Sequence, residues 1–193
     1  MYKSFFLKSV LVLSVVSLLA SCSDDDNNTT NVSLETKTFS NLYAPQTGGQ
    51  GQPVGGAFTK FSFSQNTTVT DDSWDIAFRG TTIIVNGGSA IGITDEPTRT
   101  GNGAVSIVTN TLDAVTTIPD VSSFVQDATN AYAIPTGSGN GWYNYNSTTN
   151  LITPIAGKVF VIKTHDGKYA KMEIISYYKD APTTPDATAL SRY

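Results

Sequence analysis

Imidazole and thiol chemistry in this 193-residue chain rests on one residue of each kind, His165 and Cys22. A serine nucleophile needs an imidazole that a carboxylate orients. His165 stands beside Asp166-Gly167, a turn signal whose flanking residues are ordinarily wet, so an exposed turn histidine is expected. No Gly-x-Ser-x-Gly elbow occurs, and no run of His, Cys, Asp and Glu has metal-site spacing. Asp24, Asp26, Asn28 and Glu35 match part of a calcium-loop spacing, but the sixth position lacks Gly and no amphipathic helices flank the stretch. Gly137-Ser138-Gly139-Asn140-Gly141 would cradle a phosphate only ahead of a helix N-terminus, and Trp142-Tyr143-Asn144-Tyr145 reads as a strand instead. No catalytic set emerges, and no enzyme is expected. What remains is aromatic. Alternation puts Trp142 and Asn144 on one side of that strand and Tyr143 and Tyr145 on the other, so that one face either lines a flat pocket or packs as ordinary sheet.

The thiol has its own context. Lys3 and Lys8 precede an apolar run from Ser9 to Ala20, the charged-then-apolar order of a secretory signal. The run is too short to span a bilayer, which takes about 20 apolar residues. It ends in Leu19-Ala20-Ser21-Cys22, which resembles the lipobox of bacterial lipoproteins, where small residues fit the signal peptidase and the thiol takes a diacylglycerol. Residues 1–21 are therefore expected to be a lipoprotein signal peptide, with Cys22 as the lipid attachment site. An ordinary Cys near an ordinary cleavage site is the plainer alternative. With its sole Cys acylated, the chain can form no internal disulfide and keeps no thiolate for catalysis or metal binding. Residues 22–31 read as a disordered tether, too poor in apolar side chains to offset the entropy of ordering. The acidic run Asp24-Asp25-Asp26 is either a solvated spacer or similar to the surface-export signal of some Gram-negative lipoproteins. The expected location is the outer membrane, lipid-anchored at the cell surface, with membrane contact through the anchor alone. Loss of Lys3 and Lys8 with the leader moves the net charge from −4 to −6, and an acidic surface repels phosphate backbones, which argues against nucleic acid as a partner.

The elements that must position these residues are strands. Residues 32–193 show β-branched and aromatic runs separated by Gly, Asn, Asp, Ser and Thr, the texture of one all-β domain of antiparallel sheets with a short helix at most. Gln46 to Gly56 reads as an exposed loop. Ala57 to Phe63 alternates, with Phe58, Lys60 and Ser62 opposite Thr59, Phe61 and Phe63. Ser73 to Phe78 is expected as a half-buried strand with Trp74, Ile76 and Phe78 on the core face and Asp75 and Ala77 pointing away. Thr82 to Val85 is apolar on both faces, and Asn86-Gly87 after it is a tight-turn signal. Near the end, Lys158 to Thr164 and Tyr169 to Tyr178 form a hairpin around Asp166-Gly167, with Met172 and Ile174 on one face and Ile175 and Tyr177 on the other. The one expected helix covers roughly Val121 to Asn130, with Asp120 as N-cap.

Several of these pieces, spread from Asp72 to Tyr178, resemble the HmuY family of haem-binding surface lipoproteins. They are Ser73-Trp74-Asp75-Ile76-Ala77-Phe78, Asn86-Gly87-Gly88, Gly141-Trp142-Tyr143-Asn144-Tyr145, Gly157-Lys158-Val159-Phe160-Val161-Ile162 and the return strand from Asp166 through Tyr178. The resemblance implies an all-β haemophore that scavenges haem and passes it to an outer-membrane transporter. It also implies two His or Met ligands to the iron from loops and strand ends, one of them just after the Trp142 strand. That stretch here is Asn146-Ser147-Thr148-Thr149-Asn150-Leu151, and Val121 to Gly141 likewise holds neither His nor Met. Only His165 and Met172 remain, both in the hairpin, so no axial ligand is assigned. Haem stays the expected cofactor, because burying a flat macrocycle is favourable by itself. Tyrosinate ligation makes Tyr132, Tyr143 and Tyr145 pocket candidates, and an iron-free tetrapyrrole is equally compatible. The alternative is a surface interaction protein on the same scaffold. The resemblance further implies one more aromatic strand beyond Tyr193. Either that strand is absent or the sequence is a fragment, and a missing strand would leave an exposed sheet edge.

Overall fold

β-branched and aromatic residues suit a pleated surface that is buried on at least one side. The computed structural model describes residues 34–49 and 51–193, and residues 37–193 form a compact unit of their own. The signal peptide, Cys22 and the tether lie outside the described residues. In chain order the strands are β1 (Thr47–Gly49), β2 (Gln52–Gly55), β3 (Thr59–Ser62), β4 (Thr67–Val69), β5 (Ile76–Arg79), β6 (Thr82–Val85), β7 (Ala104–Thr109), β8 (Tyr143–Asn146), β9 (Leu151–Pro154), β10 (Lys158–Lys163) and β11 (Tyr169–Met172). They form two sheets, ordered β4-β3-β5-β6 and β11-β10-β7, and two hairpins, β1-β2 and β8-β9. Every strand pairing is antiparallel, so the all-β architecture expected from the sequence is the one observed.

The two sheets face each other across one core. Phe61, Ile76, Phe78, Ile83 and Val85 come from the first sheet, Val105, Phe160 and Ile162 from the second, and Trp142 joins them from the β8 hairpin. Fully burying an Ile or Phe side chain contributes about 1.5–3 kcal/mol, which makes these side chains the main source of sheet-to-sheet adhesion. The opposite face of the first sheet is buried as well. Ala77 and Ile84 pack there with Phe58, Trp74 and Ile91. The loop that covers this second cluster is pinned by charge. Asp127, almost wholly buried, accepts from the Val85 and Ala133 amides and from Arg99, while Glu96 accepts from Arg99 and from the amides of Ile91, Gly92 and Ile93. Burial raises the Asp127 carboxyl, with these donors pulling against it. Burial also raises Glu96, but Arg99 and the Gly92 and Ile91 amides outweigh it and hold that carboxyl below its ordinary value.

Several sequence expectations are corrected. The strand at Trp74 is not half-buried, and Trp74 does not share a face with Ile76 and Phe78. The regular strand begins only at Ile76, so two-residue periodicity does not reach back to Trp74, which packs with Ala77 on the other side. Gln46–Gly56 is not a loop but the β1-β2 hairpin. The expected helix at Val121–Asn130 shrinks to one 3-10 turn, Val121–Ser123, and Asp120 makes no side-chain cap bond. Beyond it the chain is extended, because Val125 and Val105 exchange N–H···O bonds of 2.9 and 2.8 Å, a tertiary pairing that overrides local propensity.

The tight turn also lies elsewhere. Gly80-Thr81 joins β5 to β6, and Gly80 at φ 53° supplies the positive φ that a two-residue hairpin needs at its first position. Asn86-Gly87 is instead a buried crossing between the sheets. The Asn86 side chain donates to the Trp74 carbonyl at 2.8 Å and accepts from the Thr100 and Gly101 amides, while a Cβ on Gly87 would lie 2.0 Å from the Gly103 carbonyl oxygen. The Asp166-Gly167 hairpin is present, but β11 ends at Met172, so Tyr177 packs on the main core beside Met172 and Ile174 while Ile175 is exposed. Leu42 and Tyr193 exchange N–H···O bonds of 2.8 and 3.0 Å, and the Tyr193 ring packs against Phe78, Trp142 and Tyr177.

Candidate functional site

The three candidate tyrosines do not share one space. Trp142, directly before β8, is buried, and its indole N–H donates to the Thr81 carbonyl at 2.9 Å. Tyr143, next along, packs its ring 4.9 Å from Trp142 and accepts a 3.3 Å bond from the Thr81 hydroxyl. Tyr145 is 45 % exposed, and its hydroxyl donates to Asn150 of the same hairpin at 2.7 Å. The turn of this hairpin is tied by Asn146, whose Oδ1 accepts from the Thr148 and Thr149 amides. Tyr132 belongs to the second cluster, on the far side of the first sheet from Tyr143. Burial raises its phenol above the ordinary value and neighbouring Arg79 pulls the other way, so the net effect favours phenol over phenolate.

His165 is not the exposed turn residue expected. Its side chain is 25 % exposed, and its Nδ1 lies 2.8 Å from Oδ1 of Asp75, itself 1 % exposed. The same oxygen accepts the His165 backbone N–H at 2.9 Å, and Asp75 Oδ2 accepts the Phe63 N–H at 2.7 Å. A carboxylate accepts only, so Nδ1–H is the donor in this contact. This is a histidine oriented by a carboxylate, two of the three parts of a Ser-His-acid site. The third part is missing, because among the described residues no hydroxyl is hydrogen-bonded to the ring. Sequence reasoning turned Asp75 outward. The signal it passed over is a carboxylate between Trp74 and Ile76 in an apolar strand, where a buried charge requires a dedicated partner.

Gripping haem iron from both sides needs two suitable donors facing one gap. The described residues hold one imidazole, His165, and one thioether, Met172, which packs against the main core. They also contain no group of three or more His, Cys, Asp or Glu able to hold a metal ion. The described residues therefore do not fit a two-donor iron grip.

Compared with known families, residues 26–189 match the one described as HmuY protein. The chain belongs to the HmuY family. HmuY proteins are haem-binding and not enzymes. No curated protein matches the chain. The residues that carry the HmuY likeness are those that build the scaffold. Ile76, Phe78, Trp142, Phe160 and Ile162 lie in the main core, Asp75 accepts from a backbone amide of the β10-β11 turn, and Asn86 accepts from amides of the segment leading into β7. The pieces that resemble HmuY thus fall on the frame of the sandwich.

Proposed function

We propose that this HmuY-family chain is a surface-anchored lipoprotein that scavenges haem or a related tetrapyrrole and hands it to an outer-membrane transporter, without catalytic turnover. The observation that carries this reading is family membership over residues 26–189, in a chain whose sandwich core is fully formed. Binding does not require two iron donors, since each Å² of apolar macrocycle buried contributes about 25 cal/mol. The test is a haemin titration of residues 23–193, following the Soret band. A shifted band that saturates at micromolar or lower haemin is expected. A flat difference spectrum at high protein concentration would sink the reading. The missing donor pair favours the rival, a surface interaction protein on the same scaffold with its haem site lost, and that is what a flat spectrum would leave standing.

A further inference from the structure

We propose that the open groove on the outer face of the β11-β10-β7 sheet is a carbohydrate site that takes one pyranose ring of a glycan, with Tyr169 as its stacking platform. The inference goes beyond the tetrapyrrole reading and does not depend on it.

Register builds the floor. Ala104 of β7, Lys163 of β10 and Tyr169 of β11 are direct cross-strand partners, so their side chains emerge side by side on one face. Ile162, next to Lys163, lies in the main core, so that face is the outer one. The wall is the 3-10 turn at Val121–Ser123 and the extended stretch that follows it. Two contacts tie this wall to β7: the Ser106 and Ser123 hydroxyls lie 2.8 Å apart, and Val105 and Val125 exchange backbone hydrogen bonds. Phe124 and Gln126, two positions apart on extended chain, both line the groove. The Phe124 ring stands edge-on to Tyr169 at 5.6 Å and 67°, and Tyr169 remains 40 % exposed. The space measures about 290 Å³ and opens to solvent. Tied down in this way it exists before any ligand arrives, which lowers the ordering cost of binding.

The chemistry of the lining selects the occupant. A sugar ring carries hydroxyls that both donate and accept around its rim, and C–H groups on its faces. It calls for carboxamides beside an aromatic ring rather than for a deep apolar cavity, and the groove supplies both. Gln126 donates to the Gly103 carbonyl at 3.0 Å, which fixes its amide and leaves Oε1 to accept from a ligand. The Asn102 carboxamide, the Lys163 ammonium and the Tyr169 hydroxyl have no protein partner among the described residues. Asn102 offers a donor and an acceptor, and Lys163 offers donors alone. Other occupants suit the groove less well. A peptide that adds as a strand needs an open sheet edge, and the edge of β7 beside the groove is taken by Val125. A nucleic acid backbone would meet a single lysine on a chain of net charge −4. A flat apolar molecule would strip water from the two carboxamides and return no hydrogen bond.

The experiment records amide NMR spectra of residues 23–193 while the methyl glycosides of glucose, galactose, N-acetylglucosamine and glucuronic acid are added separately, each to tens of millimolar. Glycerol at the same concentrations is the control for hydroxyls without a ring. At least one glycoside is expected to give saturable shifts confined to residues 102–104, 121–126 and 163–169, and glycerol none. Tyr169→Ala and Asn102→Ala should each weaken that binding by about threefold or more. Tyr43→Ala, which removes an exposed tyrosine outside the groove, should leave it unchanged. The Asn102 side chain bonds to nothing in the protein, so its variant keeps the test decisive if Tyr169→Ala fails to fold. No saturable shift with any of the four glycosides overturns the proposal. Equal shifts with glycerol, shifts centred outside the groove, or unchanged affinity in folded Asn102→Ala and Tyr169→Ala overturn it as well. None of these outcomes bears on the haemin titration, so failure of the groove and failure of the tetrapyrrole reading are separate results.

Discussion

Asp75 receives three hydrogen bonds on two oxygens, and two of them come from backbone amides of residues that its own strand does not contain, Phe63 and His165. One carboxylate thus ties the first sheet to the β10-β11 turn. Replacement by Ala would orphan both amides, and each unsatisfied buried donor costs about 1–3 kcal/mol, so Asp75→Ala should lose about 3 kcal/mol of stability or more. His165→Ala removes only the ring contact and should lose about 1 kcal/mol. Urea unfolding of the two variants gives both values. A smaller loss for Asp75→Ala than for His165→Ala would show that the carboxylate does not join the sheets. At the same scale, Tyr143 and Tyr145 have hydroxyls already engaged by Thr81 and Asn150, which leaves packing as their evident role.

The loop over the second cluster shows how an element can depend on one ionised group. Residues 91–93 present three successive amides to Glu96, and Arg99 bridges Glu96 to Asp127 at 2.8 and 2.9 Å. The folded-state value of Glu96 lies below its ordinary 4.5, so the fold favours the ionised form. Its contribution is accordingly complete above about 4.5 and disappears as pH falls through the folded value. Asp127 is raised by burial and works in the opposite sense, so the acid limb of the whole protein mixes the two. Glu96→Gln separates them. At pH 7 its melting temperature should lie below that of the wild type, and the gap should close as pH falls below the glutamate range. A gap that stays constant with pH would mean that the amides and Arg99 do not hold Glu96 ionised.

For the molecule as a whole, the functional reading needs the sandwich to face the outside of the cell. The proposed lipid on Cys22 would hold it at a membrane after export, since a single acyl chain gives reversible membrane binding and two or more give stable anchoring. Cells grown with radioactive palmitate should label the wild-type chain in the outer-membrane fraction, and Cys22→Ser should abolish the label. Label that persists in the variant, or an unlabelled wild type in the cytosol, would remove the anchor. Among the described residues no helix is long and apolar enough to cross a membrane.

Much of this protein is legible along the chain. Short β runs, the Asp166-Gly167 hairpin and the alternation of Phe58 against Phe61 all follow from patterns within a few residues, where period and turn chemistry act. The pieces that mark the HmuY family are of the same local kind. What only the tertiary structure decided is how distant pieces meet. The Asp75–His165 contact spans 90 positions, Trp74 changed sides because its strand starts late, and Asn86 became a buried crossing rather than a turn. The β11-β10-β7 sheet sets β7 beside β10 although β8 and β9 come between them in the chain, and no local period encodes which strands lie side by side. Register and sheet-on-sheet packing are set by the summed burial of the whole core, so a window of sequence holds the strands but not their neighbours.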